Sequence, residues 1–577
     1  MAYAADSLSL PVDEQIVNLG PLALFYPLLD KLNIAKIIDR HIPTDPQAEL
    51  SHGTVLAVLL AARLSSPTAL VNVAKWAEEH GTEFLWNVPA DKCNDDRLGR
   101  ALDAFFEQRH GIIAAVTTEV LKLTELTLQS CHFDTTHLVA YGSYEASVAR
   151  PKSEREKLME DLRRSPAHLS HGYLTKYKML QLGMTSVVDE CGPIPVTFHL
   201  LDGNRSGHPA VAETYQLMKH YLRLPENLLL VSDRGTCSAE HLGTLLRNGH
   251  HALCAAPWQD YQALYDQNAA TLNWQKASYL SSEQQRRRDS HSSLPLEEYR
   301  LAVLDHQLLD ATTNEPFACR VLFVHSSASD AESKKRRAQN IEKIKAGLDA
   351  IAAKLQRAHP NTTPASVQRQ VARLLGNRGV ATHFQWKLVP LTDAEKAALP
   401  KPLKGFRLQT HRLVYSFDEA SAKAEERHDG VSALVTTAPQ TSSGDALFTE
   451  YKRQIYVERE HHELKTPLAV TPIFLKTPRR VEALVGLMFL ALQAQMTMER
   501  LYRKTVSAGS RPQEQRMTAE RLIRLFGTCA ILVEHQAYGA LVRTAQLTAE
   551  QRRVIYRLSL ETPATIIKRN LSPPPEP

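Results

Sequence analysis

Two aspartates that directly follow strand-like segments are the first candidates for chemistry. Asp134 closes Cys131-His132-Phe133 and precedes Thr135-Thr136, and Asp233 follows the apolar residues 228–232 and precedes Arg234-Gly235. A carboxylate directly after an apolar strand is where α/β folds commonly bind ligands. An ionised carboxylate on an interior strand needs a partner, and a divalent cation is one suitable partner. The alternative is that each aspartate only caps a turn or a helix.

A third candidate is the helix-like segment 451–465. It places Tyr451 seven residues before Glu458, Gln454 four before it, and Lys465 seven after it. Seven residues at about 100° each fall about 20° short of two turns, so Tyr451, Glu458 and Lys465 are predicted to share one helix face, with Gln454 close to it. A carboxylate flanked by a phenol, an amide and an ammonium group suits a metal ion beside a phosphodiester. A solvated helix face is the alternative.

The elements that must position the two aspartates are short apolar or alternating segments. Strands are predicted over 130–134, 177–189, 194–200, 227–232 and 251–256, and helices over 209–221 and 238–248,. Three successive strands followed by alternating strands and helices indicate an α/β fold with a mixed five-stranded sheet. We assign residues 126–257 to the first part of this core, and residues 447–505, which include Glu458 and an apolar helix over 478–504, to its second part.

The remaining segments divide into three further regions. Residues 1–125 carry apolar residues at helical spacing over 22–38, 53–64 and 97–106, which predicts a helical N-terminal domain that either binds DNA ends or only packs,. Residues 258–446 are predicted to be an inserted, mostly β domain, with strands over 299–304, 319–325, 383–389, 412–416 and 431–436. Residues 506–577 are predicted to be a helical C-terminal region with a disordered Pro-rich tail.

A basic helix is predicted inside the inserted domain, over residues 331–356. It contains Lys334-Lys335-Arg336-Arg337, Lys343 and Lys345, and it could lie along a phosphate backbone,. The alternative for such a run of charge is a solvated helix face.

Composition excludes several classes of protein. The 577 residues include 68 Lys and Arg against 63 Asp and Glu, a net charge of +5, and 43% are apolar, which is typical of globular proteins,. The longest nearly unbroken apolar run, 483–492, is about half the length needed to cross a bilayer, and the N-terminus lacks a secretory pattern, so we predict a cytoplasmic protein with no membrane span. The seven cysteines contain no CxxC pair, which disfavours a disulfide framework or a cysteine zinc module,.

Four segments carry a resemblance to a known family. They are His132-Phe133-Asp134-Thr135-Thr136, Gly203-Asn204-Arg205-Ser206, Val231-Ser232-Asp233-Arg234-Gly235, and residues 451–468. The chain resembles bacterial insertion-sequence transposases of the DDE type, whose RNase H-like core is interrupted by a β-rich insertion before the catalytic Glu. The helix signature of that family is Tyr, two residues, Arg, three residues, Glu, six residues, Lys. Here Gln454 occupies the Arg position, with Arg453 beside it.

The resemblance implies a site, a reaction and partners. Asp134, Asp233 and Glu458 would be the catalytic residues and would ligate two divalent cations, Mg or Mn as a substitute. Tyr451, Lys465 and the Arg453-Gln454 pair would contact DNA near the cleaved end. The protein would bind the terminal repeats of the element as a homodimer, hydrolyse a strand, and use the freed 3′-hydroxyl to attack target DNA.

Other functions fit parts of the pattern. A catalytically silent, transposase-derived DNA-binding protein does not need three carboxylates, and an RNase H-like nuclease without strand transfer does not need the insertion. Asp134-Thr135-Thr136 resembles the aspartic-protease motif, but Thr136 replaces its Gly and no second copy occurs. The His461-His462-Glu463 run lacks the spacing of a zinc protease, because adjacent helical histidines point about 100° apart.

Overall fold

Alternating and continuous apolar segments form the strands of this protein. The computed structural model describes residues 13–142, 144, 160, 165–172, 176–205, 207–290, 296–357, 359, 362–376, 378–471, 473–507, 509–536, 539–544 and 547–571. The strands, in chain order, are β1 (Asp13–Asn18), β2 (Ser130–Ala140), β3 (Ser170–His171), β4 (Lys178–Asp189), β5 (Gly192–Asp202), β6 (Leu229–Ser232), β7 (His251–Ala256), β8 (Gln275–Lys276), β9 (Tyr299–Leu309), β10 (Pro316–Ser326), β11 (Phe384–Pro390), β12 (His411–Phe417), β13 (Val431–Thr436), β14 (Ala530–Gln536) and β15 (Gly539–Thr544).

Helices fill the segments between the strands, and many begin at a Ser, Thr or Asn whose side chain accepts a hydrogen bond from the first turn, as at Ser51, Asn94 and Ser238,. The helices are α1 (Leu22–Lys31), α2 (Ile34–His41), α3 (His52–Ser65), α4 (Val73–Glu79), α5 (Thr82–Trp86), α6 (Asp95–Thr124), α7 (Gly207–Tyr221), α8 (Ala239–Arg247), α9 (Trp258–Asn268), α10 (Ser282–Asp289), α11 (Ser327–Gln356), α12 (Pro364–Leu375), α13 (Asp393–Ala397), α14 (Glu419–Ala424), α15 (Gly444–Lys452), α16 (Ile455–Lys465), α17 (Pro478–Lys504), α18 (Pro512–Gln515), α19 (Ala519–Leu525), α20 (Ala549–Arg557) and α21 (Pro563–Leu571).

A mixed sheet organises the molecule. Its order is β3-β4-β2-β6-β7-β13-β10-β9-β8, and β5 pairs with β4. Strand β2 is parallel to β6, and β6 is parallel to β7, whereas β4 is antiparallel to both β2 and β5. The five strands predicted from the sequence are therefore contiguous, in the order β5-β4-β2-β6-β7.

The sheet predicted from the sequence, with five strands, is smaller than the sheet in the structure. Within the described residues the sheet has ten strands, because β13, β10, β9 and β8 from the predicted insertion continue it beyond β7. Residues 433–436 of β13 pair directly with residues 253–256 of β7. Among the described strands of this region, the hairpin of β11 and β12 forms a separate two-stranded sheet, which packs with α11 and α12 around its own apolar cluster.

A layer of helices covers one face of the sheet. The N-terminal helices, α16 and α17 share one continuous apolar core with residues of β2, β4 and β5. Gly486 of α17 allows this close packing, because a Cβ there would lie 3.2 Å from the Phe105 and Phe198 rings. Helices α7, α8 and α9 pack on the opposite face.

Helix α17 also bears on the membrane prediction. It is, among the described residues, the single unbroken helix long and apolar enough to cross a membrane, and its most apolar 18-residue stretch is wholly buried inside the fold. Its apolar character is therefore accounted for by packing against α6, α3 and β5.

The terminal regions are less purely helical than the sequence predicted. Strand β1, from the predicted helical N-terminal domain, pairs antiparallel with β14, and β14 pairs with β15 in the predicted helical C-terminal region. The alternating pattern of these strands is short, and β1 pairs with a strand more than 500 residues away, so local periodicity did not reveal them,. The predicted Pro-rich tail beyond residue 571, the extreme N-terminus and Ser206 lie outside the described residues.

Candidate active site

One face of β2 carries a polar stripe. Side chains alternate along a strand, so Ser130, His132 and Asp134 lie on the same face. Ser130 Oγ donates to Glu450 Oε1 (2.5 Å), and His132 Nε2 lies 3.1 Å from the same oxygen. His132 Nδ1 lies 3.1 Å from Gln454 Oε1. The stripe therefore packs against α15 and the start of α16, and Phe133 points to the opposite, apolar face.

Register places the two aspartates side by side. Phe133 of β2 pairs with Ser232 of β6 in parallel register, so Asp134 and Asp233 come at the same level of the sheet. Asp233 directly follows β6, as predicted, and is exposed. The prediction that Asp134 ends its strand was wrong: β2 continues to Ala140, because β4 pairs with it as far as Lys178. Asp134 is a residue of the strand interior whose side chain is 25% exposed.

The segment 451–465 is not one helix, which corrects the prediction of a continuous helix there. Helix α15 ends at Lys452 and α16 begins at Ile455. The turn between them has short-range bonds, from Gln454 N to Tyr451 O and from Val457 N to Gln454 O (both 3.0 Å). The Gln454 side chain donates to Phe133 O (2.8 Å) and so ties this turn to β2. A tertiary contact therefore interrupts a pattern that is locally helical.

Glu458 lies on the exposed rim of α16, in the first turn. Its neighbours on the helix, Val457 and Leu464, are buried in the core, which fixes how α16 lies on the sheet. Arg459 donates to Glu499 Oε1 (2.6 Å) and ties α16 to α17. The carboxylate of Glu458 thus sits on a helix that is held from two sides.

Charge interactions link the three predicted carboxylates. Burial raises the pKa of Asp134 to about 6, and the negative charges of Asp233 and Glu458 raise it further, while the hydrogen bond from Thr135 N (2.7 Å) and the charge of Lys465 oppose the shift. Like charges raise a carboxyl pKa only when they are near. The structure therefore brings Asp134, Asp233 and Glu458 to one locality, with Lys465 beside them.

His461, which the sequence analysis considered only as part of a rejected zinc-protease motif, is a neighbour of Asp134. Its Nδ1 lies 3.4 Å from Asp134 Oδ2, and its Nε2 is buried with no hydrogen-bond partner among the described residues. Burial and the charge of Lys465 lower the pKa of His461 to about 3, so the ring is neutral at pH 7 and the contact is not an ion pair. A neutral ring carries one proton, which is best stabilised on Nδ1, facing the carboxylate.

The predicted DNA contacts fall into two groups. Tyr451 is half-buried, and burial together with the charges of Asp233 and Glu458 raises its pKa, which places its phenol near the carboxylates. Lys465 is half-buried too, and burial lowers its pKa. Gln454, in contrast, is only 9% exposed. The oxygen and the nitrogen of its side-chain amide both make hydrogen bonds within the protein.

Arg453 pairs with Glu450 (2.7 Å). With the amide of Gln454 engaged in the fold, the structure leaves Tyr451 and Lys465 as the side chains of this set that lie beside the carboxylates. The contacts of Arg453 and Gln454 with DNA stay predictions, and the amide of Gln454 is already hydrogen-bonded within the protein.

Comparison with models of known families shows which family the chain belongs to. A family model described as "Transposase DDE domain" matches residues 161–493, more than half of the chain. The chain belongs to the DDE transposase family. The matched region of this transposase contains Asp233 and Glu458 and begins after Asp134, so the assignment of Asp134 rests on the geometry above. Residues 14–127 match a second model, described as a domain of unknown function (DUF4277).

Two further comparisons add little detail. No curated protein matches the transposase. A solved structure titled "Cryo-EM structure of piggyBac transposase synaptic complex with hairpin DNA (SNHP)" is similar at 8% identity, with a TM-score of 0.33, covering 97% of this chain and 85% of that one. A likeness at that TM-score says nothing about the detailed arrangement of this chain.

The donor set of the site bears on metal binding. Across the described residues, no three His, Cys, Asp or Glu side chains converge closely enough to hold a metal ion. The three carboxylates are nonetheless the oxygen donors that Mg²⁺ and Mn²⁺ prefer, and two of them are exposed,. Burial is the main cause of the raised pKa of Asp134, and the charges of Asp233 and Glu458, which a cation would offset, add to it. The chemistry of the donors therefore fits divalent cations, with side-chain adjustment of Asp233 and Glu458.

Two supporting residues escaped the sequence analysis. His132 and Glu450 hold the turn and the strand together beneath the carboxylates. Burial tends to raise the pKa of Glu450, but hydrogen bonds from His132 and Ser130 outweigh burial and lower that pKa. The available signal was the alternation Ser130-His132-Asp134, since polar residues on one face of an otherwise apolar strand need partners.

Proposed function

We propose that this transposase binds the ends of an insertion sequence, cleaves DNA by two-metal-ion hydrolysis, and joins the freed 3′-hydroxyl ends to target DNA. The observation that carries the proposal is the interaction of three carboxylates from β2, the end of β6 and α16, with Asp134 raised in pKa by burial and by the other two. A contiguous set of strands in the order β5-β4-β2-β6-β7 supports an RNase H-like core beneath them.

Each side chain has a distinct role in the proposed site. Asp134, Asp233 and Glu458 would hold two divalent cations, Mg²⁺ or Mn²⁺ as a substitute; when bound, these lower the pKa of the attacking water or 3′-hydroxyl and stabilise the leaving oxygen. Lys465 offers an ammonium group to a phosphate beside Asp134. Tyr451 offers a phenol to the DNA backbone near Asp233.

The neutral His461 has a positioning role in this proposal. Its Nδ1 lies 3.4 Å from Asp134 Oδ2, so the neutral ring limits the positions of the carboxylate without adding charge to the site. The hydrogen bond from Thr135 N fixes the other carboxylate oxygen. Asp134 is thereby held in one orientation before any cation or DNA binds.

The partners follow from the reaction. Joining two ends of one element requires two sites, so we propose that the protein acts as a homodimer on double-stranded DNA that comprises the terminal repeats and the target. The proposed location is the bacterial cytoplasm, at the nucleoid when bound to DNA.

The test is a cleavage and strand-transfer assay on duplex DNA that carries the terminal repeats flanking the gene, with Mg²⁺ or Mn²⁺. Wild type is compared with Asp134→Asn, Asp233→Asn and Glu458→Gln, and end binding is measured in parallel. We expect metal-dependent cutting and joining by wild type, lost in each variant by at least about 10³-fold while end binding survives.

Glu315→Gln is the matched control, because that carboxylate is exposed in the connection between β9 and β10. It should cleave like wild type. End binding without cleavage by wild type would favour a catalytically silent DNA-binding protein, and cleavage without joining would favour a nuclease.

A further inference from the structure

Charge is strongly segregated in this chain. Residues 327–417, between β10 and β13, contain 17 Lys and Arg but only 6 Asp and Glu, a net charge of +11. The rest of the chain then holds 51 basic and 57 acidic residues, a net charge of −6. The mildly basic total therefore conceals one strongly basic segment in an acidic protein.

The basic segment folds around a core of its own. Helices α11 and α12 and the β11–β12 hairpin enclose an apolar cluster that includes Ile344, Leu348, Val371 and Leu413. The Tyr415 hydroxyl donates to Asp349 Oδ1 (2.7 Å), which fixes the hairpin on α11. We call residues 327–417 the basic subdomain.

A buried ion pair attaches the basic subdomain to the sheet. The two terminal guanidinium nitrogens of Arg337 donate to the two carboxylate oxygens of Asp429, at 2.5 Å each. Asp429 directly precedes Gly430 and β13, and this partner raises the pKa of Arg337. The base of α11 is thus fixed to the rigid sheet, and Arg337 itself is not available to a ligand.

Exposed lysines line the outer side of α11. The buried residues Ile344, Leu348, Ile351 and Leu355 form its inner stripe. Lys343 and Lys354 are eleven residues apart, which is about 20° more than three turns and about 16 Å along the axis, so they lie on one side of the helix, about 100° around the axis from the centre of that stripe.

Lys335 lies about 80° from Lys343 around α11, on the solvent side. Lys335, Lys343 and Lys354 are all exposed, and none makes an ion pair or side-chain hydrogen bond within the described residues. Their positive charges are therefore not balanced inside the protein.

The hairpin connection adds a second group of cations. Between β11 and β12 the chain makes an excursion in which Lys401 and Lys404 are exposed and flank Leu403, itself 70% exposed. Phe406 follows and is 40% exposed. Exposed apolar side chains mark a segment that binds something, and the lysines beside them suit the phosphates of a nucleic acid.

We propose that the basic subdomain binds the phosphate backbone of duplex DNA, through Lys335, Lys343 and Lys354 on α11 and through Lys401 and Lys404 of the hairpin connection. The choice of DNA among polyanions rests on the proposed function. The contacts are to phosphates and not to bases, so the basic subdomain adds affinity irrespective of sequence, outside the carboxylate site.

Salt dependence of binding measures these contacts directly. The full-length protein is titrated into a labelled duplex without terminal repeats, by fluorescence anisotropy, between 50 and 200 mM KCl. The slope of log K against log salt is negative, and its magnitude falls by about 0.9 for each phosphate that a variant no longer neutralises. We expect a fall of about 3 for Lys335→Gln/Lys343→Gln/Lys354→Gln and of about 2 for Lys401→Gln/Lys404→Gln.

Two controls match these variants. Replacing the three α11 lysines by Arg keeps their charge and should keep the wild-type slope. Replacing Lys122, Lys276 and Arg524 by Gln removes the same charge from exposed positions on other elements and should leave the slope nearly unchanged. Because every substituted side chain is exposed, folding is checked simply by circular dichroism.

Several outcomes would overturn the proposal. They are an unchanged slope in both Gln variants, an equal fall in the control triple, or binding to vesicles of anionic lipid with no binding to DNA. Asp134→Asn separates this surface from the catalytic proposal, because it should lose cleavage and keep the slope. A wild type that never cleaves, with slopes that still fall in the Gln variants, would refute only the catalytic proposal.

Discussion

Replacing Asp134 by Asn should make the metal-free protein more stable at pH 7. The pKa of Asp134 is about 6 in the folded protein against 3.8 for an unperturbed Asp, a rise of about two units. Each unit corresponds to about 1.36 kcal/mol, which gives an upper limit of about 3 kcal/mol. Because the side chain is 25% exposed and partly solvated, we expect about 1–3 kcal/mol,.

The pH dependence gives this prediction its sign. A carboxyl group with a raised folded pKa destabilises the protein above its unfolded pKa, and the penalty is complete once the pH exceeds the folded pKa. The gain from Asn should therefore be largest above pH 6, fall to about a third at pH 4.5, and vanish below pH 3.8. Asn can still accept the hydrogen bond from Thr135 N, and its amide nitrogen then faces His461, whose neutral ring can carry its proton on Nε2 and accept at Nδ1,.

The assay is urea unfolding with EDTA, followed by circular dichroism at pH 4.5 and at pH 7. Asp393→Asn serves as the control, since that carboxylate is fully exposed and should give no pH-dependent gain. Added Mg²⁺ should then stabilise wild type more than Asp134→Asn, because ligand binding favours the folded state. A variant that is no more stable than wild type at pH 7, or a gain that is equal at both pH values, would refute the reasoning.

Three more predictions concern buried residues of the core and of the site. Arg109→Met should cost about 3–5 kcal/mol in urea unfolding, because it strands the buried carboxylate of Glu482, and Arg109→Met/Glu482→Met should recover much of that loss,. Burial raises the pKa of Glu460 to about 8, so Glu460→Gln should change stability little below pH 4.5 and become stabilising by several kcal/mol as the pH rises through 8, measured by thermal unfolding across that range,. Gln454→Ala should cost about 1–3 kcal/mol and lower the cleavage rate more than end binding, because it releases the turn before α16 from β2; unchanged cleavage would contradict this,.

The sequence predicted well those elements whose pattern is long and local. Strands 251–256 and 431–436 and helix 478–504 have the predicted bounds, because each has a strong apolar pattern over its own length,. What local pattern could not reveal is pairing at long range. Strand β13 joins β7 across almost 180 residues and so extends the sheet beyond the five predicted strands.

The candidate residues of the site come from local sequence patterns, whereas their arrangement does not. Asp134 and Asp233 follow from strand patterns, and register brings them together as expected. The break before α16 depends on the bond from Gln454 to Phe133 O, which no periodicity encodes. The role of His461 depends on how α16 lies over β2, and that contact too is visible only in three dimensions.

The most direct test of the account is to count Mn²⁺ ions bound to the protein–DNA complex by electron paramagnetic resonance, for wild type and for Asp134→Asn, Asp233→Asn and Glu458→Gln. The account predicts two ions for wild type and fewer, or much weaker, binding in every variant, with DNA affinity preserved. Equal numbers and affinities of Mn²⁺ in wild type and the three variants would contradict the claim that these carboxylates form one metal-binding catalytic site.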